Sequence, residues 1–176
     1  MMVGKTVRLR PLREDDFDAL YGVARDPDIW AMHPCRDRFE RCVFQEFFIE
    51  AINSGGAFAI FDLANDVLIG STRFGNFEPK TNEIEIGWTF LACSHWRRGY
   101  NREVKRLMLA HIFKFVDAVI FQIGASNFRS RTAVERLGSR LCGAHERQYA
   151  GVVQDYVVYR LTQGEAQTGA LSGSFS

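Results

Sequence analysis

The segment that is most informative about the fold runs from Glu83 to Phe113 and reads EIEIGWTFLACSHWRRGYNREVKRLMLAHIF. Its first part alternates as a strand does. One predicted face carries Ile84, Ile86, Trp88 and Phe90, and the other carries Glu83, Glu85, Gly87 and Thr89. Its last part repeats apolar residues every three or four positions from Val104 onward, which predicts an amphipathic helix. A strand that passes directly into a helix is therefore expected, with a basic turn between them.

The basic turn contains Arg97, Arg98 and Gly99. A helix N-terminus presents unpaired N–H groups and about half a positive charge. Glycine lets the backbone approach a ligand closely, and arginine can fork onto phosphate oxygens. The turn thus predicts a site for phosphate or pyrophosphate, with Asn101 as a cap or a ligand contact. Two solvated surface arginines are the alternative, and the turn has neither the G-x-G-x-x-G nor the G-x-x-x-x-G-K-[ST] pattern.

The segments on either side complete the fold. Before this segment, the sequence predicts a strand in TVRLRPL, a helix from Arg13 or Glu14, a helix in DRFERCVFQEFFIEAINSGG, and strands in AFAIFD and VLIGSTRFGNF. After it, we expect a buried strand in AVIFQIGA, a short helix in NFRSRTAVERLGS and a closing hairpin. The order β-α-α-β-β-β-α-β-α-β-β predicts an α/β (α+β) fold with a mixed, mostly antiparallel central sheet flanked by helices. We expect one domain over residues 1–162 and a disordered tail over 163–176.

Composition narrows the function classes. The chain has 176 residues, 47% of them hydrophobic, and a formal net charge of +1. That balance argues against general binding of nucleic acids or membrane surfaces. The four cysteines form no C-x-x-C pair, so we expect reduced thiols and no metal site. The N-terminus carries no apolar signal segment, and a cytoplasmic protein is expected.

Two motifs together carry a family resemblance. The first is Trp96-Arg97-Arg98-Gly99-Tyr100-Asn101, whose glycine matches the centre of the loop [QR]-x-x-G-x-[GA]. The second is N-x-x-S-x-x-[AL]-x-x-x-L-G, which is matched by Asn127, Ser130, Ala133, Leu137 and Gly138. With the element order, they make roughly Thr6 to Leu161 resemble the GNAT superfamily of acetyl-CoA-dependent N-acetyltransferases. The similarity is greatest to the RimJ/RimL-type branch of ribosomal-protein N-terminal acetyltransferases.

The resemblance implies acetyl-CoA as the cofactor and a set of residues that bind it. Backbone groups of Phe90 and Leu91 would contact the pantetheine and the thioester in a wedge between two parallel strands. Amides of the turn would take the pyrophosphate, while Asn127 would contact the cofactor arm and Arg131 the nucleotide phosphate. The implied residues of the turn are Arg97, Arg98, Gly99, Tyr100, Asn101 and Arg102.

The resemblance also suggests catalytic roles. Many relatives place an acidic tyrosine seven positions after the asparagine, but Val134 stands there in this chain. Ser130 is therefore the candidate acid, with a plain helix N-cap as its alternative role. Glu85 is the candidate base and Glu83 the second choice, the alternative for Glu85 being a solvent-facing strand position. The amine acceptor is expected between the first interhelical loop and the last hairpin, lined by Trp30, His33 and Tyr149.

Three functional hypotheses stay open at this point. The first is direct acetyl transfer, in a ternary complex, to a primary amine: most favoured is a protein N-terminal α-amine, and the alternative is a small-molecule amine. The second is a non-catalytic acyl-CoA-binding domain, which the vacant tyrosine position allows. The third is an RNA-binding module, which the near-zero net charge disfavours. We expect a monomer or homodimer with no nucleic-acid or membrane partner.

Overall fold

The computed structural model describes residues 1–149 and 151–168. The eight strands are β1 (Met2–Val3), β2 (Val7–Pro11), β3 (Ala57–Asp62), β4 (Val67–Glu78), β5 (Glu83–Leu91), β6 (Ala118–Gly124), β7 (Arg140–Tyr149) and β8 (Val152–Thr162). The five α-helices are α1 (Phe17–Ala24), α2 (Arg41–Asn53), α3 (Tyr100–Ile112), α4 (Phe128–Glu135) and α5 (Gln163–Thr168).

All eight strands form one sheet in the order β1-β2-β3-β4-β5-β6-β8-β7. The β5–β6 pair is parallel, and the other neighbouring pairs are antiparallel. Helix α3 is the crossover between the two parallel strands, as such a connection requires. The predicted fold class, a mixed and mostly antiparallel sheet flanked by helices, is confirmed.

Helices cover both faces of the sheet, each over its own apolar cluster. On the α3 face, Met108 and Leu109 pack in the same buried cluster as Ile86 and Phe121. On the α1–α2 face, Phe44 packs in a second cluster with Leu20, Ala59 and Phe90. Alternation along β4, β5 and β6 then assigns the residues between these core positions to one face or the other.

A β-bulge interrupts β5 and corrects the predicted alternation. Arg73 of β4 pairs with Gly87, but Ser71, two residues earlier, pairs with Phe90, so β5 contains one extra residue. Trp88 has a φ of 52°, a left-handed conformation that a bulge accommodates. The prediction that Ile86 and Phe90 share a face is therefore wrong: Ile86 packs against α3, whereas Phe90 packs against α1 and α2.

The parallel strands separate soon after they begin. Their register covers Glu83–Ala118, Ile84–Val119 and Glu85–Ile120. From Ile86 onward, β5 has no ladder pair with β6 within the described ranges. We call this opening, between Ile86–Leu91 and the end of β6, the wedge.

The predicted tail begins as structure. Residues 163–168 form α5, and its Ala166 is fully buried in the α3-face cluster, so the prediction of disorder from residue 163 is wrong there. Glu165 holds the helix start by accepting hydrogen bonds from the backbone N–H and the hydroxyl of Thr162. The rest of the predicted tail, 169–176, lies outside the described residues. In the part of the chain that the structure describes, no helix is long and apolar enough to cross a membrane.

Candidate active site

The turn before α3 has the geometry of an anion site. Gly99 is the N-cap residue with a φ of 87°, and no side chain caps the helix. A Cβ built on Gly99 would meet nothing within 4 Å, so the backbone here faces open space. Arg97, also left-handed at 60°, and Arg98 are exposed beside it. The first N–H groups of a helix have no intrahelical partner, so an anionic group fits here, and Asn101 occupies the second helical position rather than the cap.

Side chains behind the turn hold it to the sheet. His95 Nε2 lies 3.4 Å from a carboxylate oxygen of Asp62, and its ring meets Tyr100 edge-on at 4.8 Å. Trp96 donates its indole N–H to the carbonyl of Leu91 at 2.9 Å. These contacts give His95 a structural role in holding the turn.

The first turn of α3 is also held to the start of β2. Glu103 accepts hydrogen bonds from the backbone N–H groups of Lys5 and Thr6 and from the Thr6 hydroxyl. Burial tends to raise the pKa of Glu103, but the Thr6 hydroxyl and the backbone N–H groups of Lys5 and Thr6 together lower it below its ordinary value. The glutamate that closes the basic stretch is therefore an anchor for the helix.

The wedge residues Phe90 and Leu91 are buried, at 4% and 5% exposure. Phe90 packs its ring among Trp30, Phe44 and Phe47. The Leu91 carbonyl already accepts the Trp96 indole N–H. The structure thus places both at the wedge, with their side chains in the core.

Glu85 lies at the point where the wedge opens and is only 4% exposed. Its Oε2 accepts hydrogen bonds from Asn76 Nδ2 at 2.7 Å and Gln122 Nε2 at 2.8 Å. Its Oε1 lies over Gly87, where a Cβ would come within 3.1 Å of it. Burial raises the pKa of this carboxyl above its ordinary value. The alternative of a solvent-facing strand position is excluded, whereas Glu83 forms an ion pair with Arg160 at 2.6 Å.

Polar side chains surround Glu85 on the α1–α2 face. We define the polar cluster as Arg73, Asn76, Glu85, Gln122 and Arg147. Arg147 donates a hydrogen bond to Gln122 Oε1, so Gln122 connects it to the glutamate. Arg73 stacks on the Trp88 ring, 3.8 Å from its centroid, and burial lowers the pKa of its guanidinium.

At the end of β6, α4 begins with Asn127 as its N-cap. The Asn127 side chain accepts a hydrogen bond from the Ser130 N–H at 3.2 Å, so the N-cap alternative for Ser130 is wrong. Ser130 is half-buried, and its hydroxyl forms no hydrogen bond with the described residues. Arg131 is held inward, because it donates from Nη1 to the Ala125 carbonyl at 2.9 Å and from Nε to the Tyr159 hydroxyl at 3.1 Å.

The predicted acceptor-side residues converge, with one correction. The Tyr149 hydroxyl of the hairpin donates to Asp37 of the α1–α2 loop at 3.1 Å, so the hairpin and the loop meet as expected. His33 accepts a hydrogen bond from the Cys35 N–H, and burial together with Arg38 lowers its pKa to about 3. Trp30 is only 2% exposed and donates its indole N–H to Ala24, so it supports the loop from below rather than lining a surface.

Sequence reasoning missed Arg73, Asn76, Gln122, Arg147 and Arg38. A signal was available for Arg73, since it is a charged residue inside a strand segment whose neighbours from Leu68 to Phe74 are all buried. For the other four, ordinary polar residues at strand and loop positions carry no distinctive pattern. The sheet register brings the strand residues together, and the α1–α2 loop adds Arg38, whose guanidinium stacks on Trp30 and Phe47.

Comparisons with known proteins agree with the fold described above. The sequence profile of the family described as "Acetyltransferase (GNAT) domain" matches residues 6–140. No curated protein sequence matches the chain.

Solved structures extend the likeness over nearly the whole chain. A GCN5-related N-acetyltransferase from Brucella melitensis is 22% identical with a TM-score of 0.81, covering 93% of this chain and 79% of that one. A protein assigned as a ribosomal-protein-serine acetyltransferase from Vibrio cholerae is 19% identical with a TM-score of 0.75, covering 92% and 96%. A spermidine N-acetyltransferase from Vibrio cholerae, in complex with CoA and spermine, is 17% identical with a TM-score of 0.71, covering 92% and 98%.

Proposed function

The chain belongs to the GNAT family of acetyltransferases, and we propose that it acetylates protein N-terminal α-amines held against the polar cluster. It is an acetyl-CoA-dependent N-acetyltransferase. The observation that carries the proposal is Glu85, a buried carboxyl with a raised pKa at the opening of the wedge. Its raised pKa makes this carboxylate a stronger proton acceptor than an ordinary glutamate.

The residues around the wedge fit the cofactor. Acetyl-CoA supplies the acetyl group that the amine nitrogen accepts. The uncapped first turn of α3, with Gly99 in a left-handed conformation and two exposed arginines, suits the pyrophosphate. The backbone of the wedge suits the pantetheine, Asn127 the cofactor arm, and the outer nitrogen of Arg131 a nucleotide phosphate.

Glu85 acts as the base. Two amide donors hold its Oε2, which leaves Oε1 to face the reacting amine. Because the carboxylate is buried, removing its proton is harder than in water, and its affinity for the proton of an ammonium group is greater. Gly87 leaves room beside Oε1 for the amine.

Ser130 acts as the acid that protonates the leaving sulfur. Its hydroxyl, at the first turn of α4, makes no hydrogen bond with the described residues and can therefore turn toward the wedge. The uncharged hydroxyl replaces the tyrosine that many relatives place where Val134 stands.

The charge of the site favours an α-amine over a polyamine. Arg38, Arg73 and Arg147 lie on the acceptor side of the wedge, and none forms an ion pair with a carboxylate in the described part of the chain. A polyamine with several positive charges would meet repulsion there. The similarity to a ribosomal-protein-serine acetyltransferase supports the same acceptor class.

A pair of glutamine variants tests the proposal. We expect Glu85→Gln to lower kcat with an N-terminal peptide by about 100-fold or more, the usual contribution of a general base. The wild-type kcat should rise with pH as Glu85 loses its proton, at a pH above the ordinary glutamate range, and the variant should lack that limb.

Glu83→Gln is the matched control, since Glu83 lies two residues away on the same strand and is neutralised by Arg160. It should retain most of the activity. Equal rates for the two variants would contradict the assignment of Glu85. Steady-state kinetics from pH 5 to pH 9 makes the measurement.

A further inference from the structure

Arg73 is a buried cation that forms no ion pair within the described residues. It is 6% exposed, and its Nε is buried with no hydrogen-bond partner. Within the described residues its side chain forms neither an ion pair nor a hydrogen bond, and the stacking of its guanidinium on Trp88 is its one specific contact. Stacking on an aromatic ring stabilises a guanidinium but satisfies none of its five N–H donors. A buried charge of this kind is costly unless an anion pairs with it.

The sheet register places Arg73 beside the proposed base. Arg73 pairs with Gly87, and Gly75 pairs with Glu85, so Arg73 and Glu85 are diagonal neighbours on the same face. Residues in that relation are about 7–8 Å apart, and their β-carbons are somewhat closer. One small residue can therefore present its amine to Glu85 and an acid group to Arg73 at the same time.

Two glycines keep this face open. A Cβ on Gly75 would come within 2.9 Å of the Trp88 indole, so the glycine lets that ring lie flat across β4. Gly87 likewise leaves space beside Glu85 Oε1. The Trp88 ring thus forms a platform that orients the guanidinium of Arg73, and the two backbone positions next to it carry no side chain.

The surrounding charges also favour an anionic ligand. Arg38 stacks on Phe47 with its guanidinium carbon 4.5 Å from the ring centroid, and Arg147 contacts Gln122 and His145. Neither is paired with an acid of the described residues. Apart from Glu85, Glu50 is the carboxylate that influences Arg73, and it lies on the exposed side of α2.

The cofactor phosphates do not account for this charge. The turn that suits them begins α3, whose buried side packs on the opposite face of the sheet with Ile86. Arg73 and its platform Trp88 lie on the α1–α2 face, where the hairpin and the α1–α2 loop meet. An anionic ligand that pairs with Arg73 would therefore enter from the acceptor side of the wedge.

We propose that Arg73 binds a carboxylate of the amine acceptor, so that this enzyme acetylates amines that carry an acid group within the same or the next residue. The inference rests on the proposed function and deepens it. A protein N-terminus that begins with Asp or Glu supplies this carboxylate through its side chain. A free amino acid supplies it as the α-carboxylate, next to the amine that is acetylated.

Isosteric acid–amide pairs test the proposal. Tripeptides beginning with Glu or Gln, and with Asp or Asn, differ only in the acid group. For wild type we expect kcat/KM to be about 10-fold or more higher for the acid of each pair, since a site built for a charged partner discriminates against its neutral analogue. In Arg73→Met the preference should fall to within about 2-fold, and Arg73→Lys should be intermediate because it keeps the charge without the fork.

Arg8→Met is the matched control. Arg8 also stacks on an aromatic ring, with its guanidinium carbon 4.4 Å from the centroid of Phe61. Unlike Arg73, it forms an ion pair with Asp66, and it lies on β2, next to the edge strand β1. The Arg8→Met variant should keep the acid preference.

The free energy of unfolding provides a second readout: Arg73→Met should be at least as stable as wild type, because an unpaired buried charge is removed. A loss of stability with unchanged acid preference would indicate a purely structural arginine and overturn the proposal.

Calorimetric titration of the protein–CoA complex with the same peptides, and with free glutamate and its amide, separates the possible failures. Equal turnover of acid and amide peptides would overturn the carboxylate site and leave the proposed function intact. Turnover of free glutamate but not of peptides, with the Arg73 dependence, would support the carboxylate site and contradict the peptide acceptor. If neither acids nor amides are turned over, the binding measurement still tests the carboxylate site. Equal affinity of the protein–CoA complex for acids and amides would then overturn it.

Discussion

Single residues decide the chemistry at the wedge. Glu85 and Glu83 are two positions apart on one strand, but one is buried among amide donors and the other is neutralised by an arginine. Ser130 differs from an ordinary helix-start serine for a similar reason: Asn127 already supplies the cap, and the serine hydroxyl remains available. Environment rather than residue type therefore assigns the roles.

Ser130→Ala tests the proposed acid. Removing the hydroxyl should lower kcat by about 10-fold to 100-fold, while the Kd of acetyl-CoA stays within about 2-fold, because the hydroxyl acts on the leaving group and not on cofactor binding. Pre-steady-state kinetics and calorimetry would measure the two quantities.

Thr132→Val is the control for this change, since it removes a hydroxyl from an exposed position two residues further along the same helix. Unchanged kcat in Ser130→Ala would show that the hydroxyl is not the acid. A similar fall of kcat in Ser130→Ala and in Thr132→Val would instead indicate a general disturbance of α4.

Among the elements, α3 buries the face that its periodicity predicts, but the pattern does not predict where the helix ends. The helix buries Val104, Met108 and Ile112 as its periodicity predicts, and Leu109 as well. It ends at Ile112, so Phe115, which the periodicity placed on the same face, is 65% exposed. His111, expected in the core, is also exposed.

Helix α2 shows the same limit of pattern reasoning. A helical period that begins at Phe39 and Cys42 predicts both on the buried side with Phe47 and Ala51. Phe39 and Cys42 are instead exposed, and the buried side is formed by Phe44, Phe47, Phe48 and Ala51. An aromatic-rich helix allows more than one apolar stripe. The choice between stripes depends on the partner helix, because Phe44 and Phe48 pack on Phe17 of α1.

Gly99→Val tests the turn that begins α3. A Cβ at Gly99 meets no atom within 4 Å, so the cost of the substitution is the left-handed backbone at φ 87°. The turn should relax to another conformation and withdraw its N–H groups from the phosphates. We expect acetyl-CoA affinity to fall by about 10-fold or more, measured by calorimetry on protein that remains folded.

Gly55→Val is the matched control. Gly55, just after α2, is also left-handed, at 64°, and a Cβ added there would likewise meet no atom within 4 Å. Gly55→Val should lower the free energy of unfolding about as much as Gly99→Val does, and it should leave the affinity for acetyl-CoA intact. Equal affinity of Gly99→Val and wild type would refute the anion site.

For the molecule as a whole, the central sheet buries polar groups as well as apolar ones. Lys105 of α3 is 6% exposed and donates to the Thr89 hydroxyl at 2.5 Å, and Thr89 in turn lies 2.7 Å from the Thr72 hydroxyl. These contacts join α3 to the bulged region of β5. Burial lowers the pKa of Lys105 to about 7.

This lysine should make global stability depend on pH. Between about pH 7 and the ordinary lysine pKa, the unfolded chain binds a proton that the folded protein does not. Raising the pH through this window therefore stabilises the folded protein, by at most about 1.4 kcal/mol per pH unit. Relative to Lys105→Met, wild type should gain roughly 2 kcal/mol in free energy of unfolding from pH 7 to pH 9.

Urea unfolding at several pH values checks this expectation. Lys114→Met, which removes an exposed lysine just beyond α3, controls for the loss of a surface charge. Parallel pH profiles for wild type and Lys105→Met would contradict the prediction.

Sequence patterns alone were sufficient for the order of the elements from β2 to β8, but not for β1 or α5. They also located the strand–turn–helix unit and the motif residues at the turn and at Asn127. These are local features, since alternation, helical periodicity and glycine conformation act within a few residues. The bulge at Trp88, the buried stripe of α2 and the helical start of the tail emerged only from the folded chain, because each depends on a packing partner distant in the sequence. The polar cluster did so too: Arg73, Glu85, Gln122 and Arg147 come from four strands, and only sheet register and shared burial make one cluster of them.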